Sequence, residues 1–395
     1  MNKKFLKDIA DIQTGPFGSQ LHKEDYAEEG TPVITVEHLG NRVFTEQNLP
    51  KVADKDRKRL YKYILTKGDI VFSRVGSVDR CSFVDAEHDG WMFSGRCLRV
   101  RPNTDVDPLF LYYFFCLEET KRFVRNIAVG ATMPSINTKL LGEIEVVYPD
   151  MESQKKIVSI LSILDDKIEI NKKINDNLEQ QARAYFQELF VDNSDPTWTF
   201  GTVSDLGAVV GGSTPSKSKP EYYTEDGVAW ITPKDLSINK AKFISHGEND
   251  ITELGLKNSS ASIMPEGTVL FSSRAPIGYI AIASGEVTTN QGFKSVVPKP
   301  EIGTAYVYYF LKHNLPVIEG MASGSTFKEV SGSTMKNVPA VIPDTETLAC
   351  FNNFCAPLFA QQRILEEQNQ SLATLRDSLL PKLMSGEIDV SDIKL

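Results

Sequence analysis

The chain repeats itself once, so whatever it folds into must be built from two like halves. Leu6-Lys7-Asp8-Ile9 opens the first half and Val203-Ser204-Asp205-Leu206 the second. Gly30-Thr31-Pro32-Val33-Ile34-Thr35 is matched by Gly227-Val228-Ala229-Trp230-Ile231-Thr232. Gly68-Asp69-Ile70-Val71-Phe72-Ser73-Arg74 is matched by Gly267-Thr268-Val269-Leu270-Phe271-Ser272-Ser273-Arg274. Gly130-Ala131-Thr132 and Gly324-Ser325-Thr326 each begin a stretch ending at Tyr148-Pro149 and Ile342-Pro343, 194 positions apart. A period this long excludes a solenoid and points to a duplicated two-part unit.

The first part of each unit is rich in Gly, Pro, Ser and Thr and in short β-type runs. Strands are expected at 70–72, 97–100, 143–147, 269–271 and 279–282, and short helices at 108–125 and 305–314. The second part is a long helix. From Glu152 to Phe190 there is neither Pro nor Gly. Apolar residues step by four and three through Ile157, Leu161, Leu164 and Ile168, then through Asn171 and Asn175 to Leu178, Ala182, Tyr185 and Leu189. That is a heptad seam with two polar interruptions. At 1.5 Å per residue the helix is roughly 58 Å long. The second copy steps through Phe351, Phe354, Leu358, Gln361, Leu365, Gln368, Leu372, Leu375 and Leu379, with Pro357 marking a kink or late start and Pro381 an end or bend.

A helix of that length needs a partner for its seam, and the two copies are the obvious pair. The expected fold is therefore α+β: two globules joined by two long antiparallel helices about a pseudo-twofold. The expected boundaries are 1–150 and 193–344 for the globules, 151–192 for the first helix, and 345–395 for the second helix and tail. Asn171 and Asn175 are candidates for fixing register. Asp165-Asp166 is expected on a solvated helix face.

Catalytic motifs are missing. There is no phosphate loop, no Gly-x-Gly-x-x-Gly after a strand, no Cys-x-x-Cys and no His-Glu-x-x-His. The Asn/Asp-Pro-Pro-aromatic tetrapeptide of adenine methyltransferases does not occur. The five cysteines are scattered, so reduced thiols in a cytoplasm are the expectation. No run of about 18 apolar residues suggests a membrane span. The net charge is −9, and no segment is strongly basic, which argues against nonspecific coating of DNA but allows a local basic patch.

Two globules, each followed by a long helix, resemble the specificity subunit of type I restriction–modification systems. Residues 6–15 look like that family's opening of a target recognition domain, and the two Gly-x-Ile/Val motifs with their arginines look like its core. The tail Leu379-Leu380-Pro381-Lys382-Leu383-Met384-Ser385-Gly386-Glu387-Ile388 is close to its ending. The second copy departs slightly, with Thr268 in place of Asp69 and one residue inserted before Arg274. The resemblance implies a cytoplasmic, non-catalytic subunit whose globules each read one half of a bipartite, asymmetric site on double-stranded DNA. The helix pair would act as a ruler, holding reading heads about a helical turn apart, roughly 34–36 Å. It further implies two DNA adenine methyltransferase subunits as partners, with restriction–translocase subunits joining them. S-adenosylmethionine, ATP and Mg would belong to those partners, and this chain would hold no cofactor or metal.

Residue chemistry nominates the DNA contacts. Arg74 and Arg274 follow a strand and precede Gly76 and Gly278 in a loop, which suits a guanine reader or phosphate clamp, and Ser73, Ser77 and Ser273 lie beside them. Polar loops add Thr14, Ser19, Gln20 and Lys23 in the first half. In the second they add Ser213, Thr214, Ser216, Lys217, Lys219 and Tyr222. The densest basic run contains Lys55, Arg57 and Lys58. Late loops contribute Thr132, Ser135, Asn137, Thr326 and Lys328, and Thr232, Lys234, Asn290 and Gln291 complete the set. The helix seam is expected at Leu161, Leu164, Ile168, Leu178, Leu365, Leu372, Leu375 and Leu379. The rival readings are an assembly scaffold or an orphan specificity subunit that no longer reads DNA, and a chain with a hidden catalytic centre.

Overall fold

Two helices dominate the chain: α1 (Met151–Gln187) and α2 (Thr345–Ser385). The computed structural model describes residues 1–393 apart from Ser19, Ala275, 325–327 and the side chain of Lys23. The chain divides into two units. The first comprises Met1–Asp166 with Leu372–Leu395, and the second Lys167–Ser371. Each long helix thus contributes residues to both units.

In the first unit the buried strand Ile70–Ser73 lies centrally in a four-stranded sheet, with Cys97–Pro102 on one side and Cys81–Phe83 on the other. Side chains alternate across a strand. Ile70 and Phe72 therefore enter one core with Phe110, Tyr113, Ile157, Leu161 and Leu383. Val71 enters another with Val33, Leu65 and Phe93. The second unit repeats the plan. Val269 and Phe271 face one core with Tyr306, Tyr309, Phe351 and Phe186, and Leu270 faces another with Ile231 and Phe293. The duplicated motif is hydrophobic throughout because its strand is covered on both faces.

The first departure in the second copy has a structural reason. Asp69 is buried because Arg101 donates to both its oxygens, at 2.7 Å each. The strand registers Ala10↔Pro102 and Gly207↔Pro298 put Val297 where Arg101 stands, and Thr268 replaces the acid that would then have no partner. The expected insertion before Arg274 is not found: Ser73↔Cys97 and Ser272↔Phe293 keep the offset of Ile70↔Val100 and Val269↔Val296, and the extra residue at the register shift lies on the partner strand, where Phe271 and Ser273 face Ile280 and Ile277.

The helices run antiparallel within each unit. In the second, the Asn171 side chain donates to Asn369 Oδ1 at 2.9 Å, Gln362 donates to the Asn175 carbonyl, and Tyr185 stacks beside Phe351. Asn171 is thus a cross-helix contact, fully buried.

Several helix expectations need correction. Leu375 is 47% exposed and Phe354 39%, so neither belongs to the seam. The second inward line of α2 is Cys355, Gln362, Asn369, Arg376 and Leu383, one residue further on, with Asn369 and Arg376 half-buried and the other three buried. A step of four from Leu372 reaches the seam as well as a step of three, and here polar residues occupy it. Leu161, Ile168 and Leu365 are buried; Leu164, Leu178, Leu372 and Leu379 are half-buried. Pro357 and Pro381 neither start nor end α2, which runs through both. Both prolines are exposed, as are Asn353 and Asp377, whose carbonyls lose their helical donors but keep access to water. Asp165 is not solvated: it is buried, accepting from Tyr113 Oη and Arg376 Nη1, each at 2.7 Å.

Candidate nucleic-acid interface

The nominated residues gather at the ends of the central strands because backbone hydrogen bonds tie four loops together there. In the first unit Arg74 N donates to Arg96 O, Ser94 N to Ile34 O, and Ile136 N to Arg74 O. In the second unit Ser273 N donates to Gly292 O, Asn290 N to Ile231 O, and Val330 N to Ser273 O. The same net holds the turns 35–38 and 232–235, the bends 94–96 and 290–292, the late loop 129–136, and the described ends of its counterpart at Ser323 and 329–330. The first loop of each unit joins through a close approach that only glycine permits. A Cβ on Gly15 would sit 2.1 Å from Ser94 O, and one on Gly212 would sit 2.0 Å from Asn290 O.

This net corrects the pairing of the two arginines. Arg74 and Ser273 occupy the same place in it. The bridge Arg274↔Glu329 matches Val75↔Ser135, so Arg274 lies one residue beyond Arg74's position. Their surroundings differ accordingly. Arg74 donates to Gly95 O at 3.1 Å and lies 5.4 Å over the exposed ring of Phe17, a cation–π contact at a protein surface. Arg274 instead lies 3.7 Å from Glu329, which also has Lys294 at 3.6 Å. That carboxylate leaves the cluster with one net positive charge.

Other nominated groups are already engaged. Ser73 and Ser273 are buried, their hydroxyls donating to Val75 O and Gly292 O, so they shape the strand end and do not face a ligand. Tyr222 is only 5% exposed, too buried to stack on a base, although Lys219 lies over its ring and donates to its hydroxyl. Thr232 caps its helix through Asp235, and Asn137 caps another by accepting from Leu140 N. Lys234 is paired with Glu248, whose carboxylate raises the ammonium above its ordinary value.

The remaining groups are open or held only at the surface. Thr132, Lys217, Lys328, Lys55, Lys58 and Ser77 are exposed, Thr14 and Arg57 partly so. Gln20 accepts from Tyr63 Oη, and its carbonyl accepts from Arg59, which places the basic helix Asp54–Arg59 beside the first loop. Thr214 donates to the Gln291 side chain, Asn290 Oδ1 accepts from Gly292 N, and Ser216 bonds Ser218. Ser213 N donates to Thr289 O, and the Ser135 hydroxyl donates to Val129 O. Ser19 and Thr326 lie outside the described residues, as does the side chain of Lys23.

Sequence reasoning missed Phe17, Arg96, Lys294 and Glu329. An open groove passes Phe17, Tyr26, Thr35, Asn48 and Arg96. The repeat register points to Arg96 and Glu329, by aligning 94–96 with 290–292 and Ser135 with Glu329, and Phe17 lies within the first-half loop that supplied Thr14 and Gln20. Among the described residues no group of His, Cys, Asp and Glu is arranged to hold a metal ion. Burial pushes the Cys97 thiol up to about 12 and that of Cys116 to about 11, so neither is a ready nucleophile. No helix among the described residues is long and apolar enough to cross a membrane.

The geometry is that of a duplicated loop platform, and comparison with known proteins agrees. The family model described as the type I restriction modification DNA specificity domain matches twice, at residues 1–180 and 196–376. The HindI specificity subunit of Haemophilus influenzae is 26% identical over 414 residues, spanning 85% of this chain and 89% of that protein. The MjaIX specificity subunit of Methanocaldococcus jannaschii is 40% identical, but the match spans only 46% of this chain and 44% of that one. A crystal structure of a type I S subunit from M. genitalium has the same fold, with a TM-score of 0.58 at 18% identity over 97% of this chain and 95% of that one. With two copies of the domain covering nearly all of its length, the chain belongs to the type I restriction–modification DNA specificity family.

Proposed function

We propose that the chain is a non-catalytic subunit that selects the DNA site of a type I restriction–modification complex. Each loop platform reads one half of a bipartite, asymmetric site. The helix pair sets the unread spacer and docks two adenine methyltransferase subunits, which supply S-adenosylmethionine, and restriction–translocase subunits bring ATP and Mg. The observation that carries this reading is the repetition of one backbone net with different side chains on it. Arg74 over Phe17 in the first unit and the Arg274–Glu329–Lys294 cluster in the second are built on the same net. A shared scaffold with divergent surface groups suits two readers of different sequences. The contacts divide accordingly: exposed Lys and Thr side chains suit phosphate, and Arg74, Arg96 and Gln291 suit base edges.

The test is single-molecule sequencing of DNA from a methyl-free host carrying this chain with its neighbouring methyltransferase, against the methyltransferase alone. The reading expects methyladenine at one split motif only when this chain is present. A stable complex of the two proteins with no methylation would favour the scaffold instead.

A further inference from the structure

Each junction between a globule and the helices contains a group of charges built round one buried ion, Asp165 in the first and Lys242 in the second, and neither group balances within its own half of the chain. The first half (1–192) contributes Arg42, Asp165 and Asp166 to its junction. Arg42 lies 2.7 Å from Asp166, and Tyr113 donates to Asp165. That set carries one excess negative charge. The missing cation is Arg376, from the helix of the second half, whose Nη1 donates to buried Asp165 at 2.7 Å. Exposed Asp377 holds the other side of that guanidinium.

The second junction has the opposite sign. The second half contributes Lys242, Lys312 and Glu366. Lys242 is 7% exposed, lies 4.2 Å over the Phe359 ring, and donates to Gln362 at 2.7 Å. Glu366 accepts from the backbone N–H groups of Lys242 and Phe243. That set carries one excess positive charge. The missing anion is Glu179, from the helix of the first half, which pairs with Lys242 and, at 2.8 Å, with Lys312, and accepts from Tyr309 Oη.

The exchange is reciprocal: each half lends the other the counter-ion it lacks. The repeat shows what a like-with-like pairing would offer instead. At the 194-residue offset, Arg376 corresponds to Ala182 and Glu179 to Ala373, and neither carries charge. Two first halves together would bury Asp165 twice without Arg376. Two second halves would bury Lys242 twice without Glu179. A buried charge deprived of its partner is strongly unfavourable. We infer that these two junctions make the halves of this chain specific for each other, so that the helix of one half accepts the other half and rejects a second copy of itself.

The experiment keeps the full chain and opens it after folding. A protease recognition sequence is inserted between Asn193 and Asp195, in the exposed connector 192–197. The nicked protein is diluted, allowed to exchange, and counted by native mass spectrometry as first–second, first–first and second–second pairs. The expected result is first–second pairs, with like pairs lower by roughly 100-fold. Asp165→Leu with Lys242→Met removes both charges that need a partner, and like pairs should then appear in quantity. Asp165→Asn with Lys242→Gln, which retains polar partners for Tyr113 and Gln362, serves if the apolar variant does not fold and should give the same result. Like pairs forming freely from the unsubstituted protein would overturn the inference, as would a neutralised variant that still forms first–second pairs alone. DNA reading takes no part in this readout.

Discussion

Replacing Glu179 by Gln should destabilise the second unit by an amount that fades as the solution is acidified. Burial alone would raise the Glu179 carboxyl. Lys242 and Lys312 outweigh it and hold the group at about 2, against its ordinary 4.5. A carboxyl depressed in the folded state adds stability above its unfolded value and loses it as pH falls through the folded one. Held that far below its ordinary value, the carboxylate contributes on the order of 3 kcal/mol at pH 7. Most of this contribution remains at pH 5, and roughly half of it is lost by pH 3. Gln keeps the shape and removes the titration, so the gap between native and variant should follow that curve. Urea unfolding at pH 7, 5, 4 and 3, with probes in the second unit, measures it. A gap independent of pH, or one that widens in acid, would refute the argument that the carboxylate is held ionised by its lysines.

Other perturbations have equally specific outcomes. Leu365→Ala should cost about 2–5 kcal/mol and Leu375→Ala less than about 0.5 kcal/mol in thermal unfolding, because Leu365 is buried and Leu375 is 47% exposed. Glu329→Ala frees Arg274 and Lys294 from a shared carboxylate. The salt dependence of DNA binding by the complex should steepen by about one phosphate contact, and an unchanged slope would place this cluster off the DNA. Gly15→Ala and Gly212→Ala should each disturb their loop platform, detected as lost methylation with little change in helix content, since the added Cβ would meet a carbonyl near 2 Å.

The sequence carried the architecture because duplication and heptad spacing are long-range signals that single residues cannot hide. It carried the buried strands for the same reason, as the motif at 68–74 recurs at 267–274. What it concealed was chosen by tertiary packing. Leu375 and Arg376 are neighbours, and apolarity favours the wrong one, because Asp165 supplies the seam with a partner for arginine that lies 211 positions away. Pro357 and Pro381 look like breakers until their exposed positions are known. At the loop platforms, residue type indicated the right segments but not the frame. Matching the two arginines suggests an insertion, whereas the strands keep one offset and put Ser273, not Arg274, in the place of Arg74. Ser73, Ser273 and Tyr222 have the chemistry of DNA contacts, and only their burial shows that they serve the fold.

The central claim is that each unit reads its own half of one split site. The direct test is methylome sequencing of three complexes: the native chain, Arg74→Ala and Gln291→Ala. Arg74→Ala should weaken or relax methylation through one half of the motif and Gln291→Ala through the other, with the spacer unchanged in both. If both substitutions relax the same half, or if neither alters the motif, the assignment of one reading platform to each unit is contradicted.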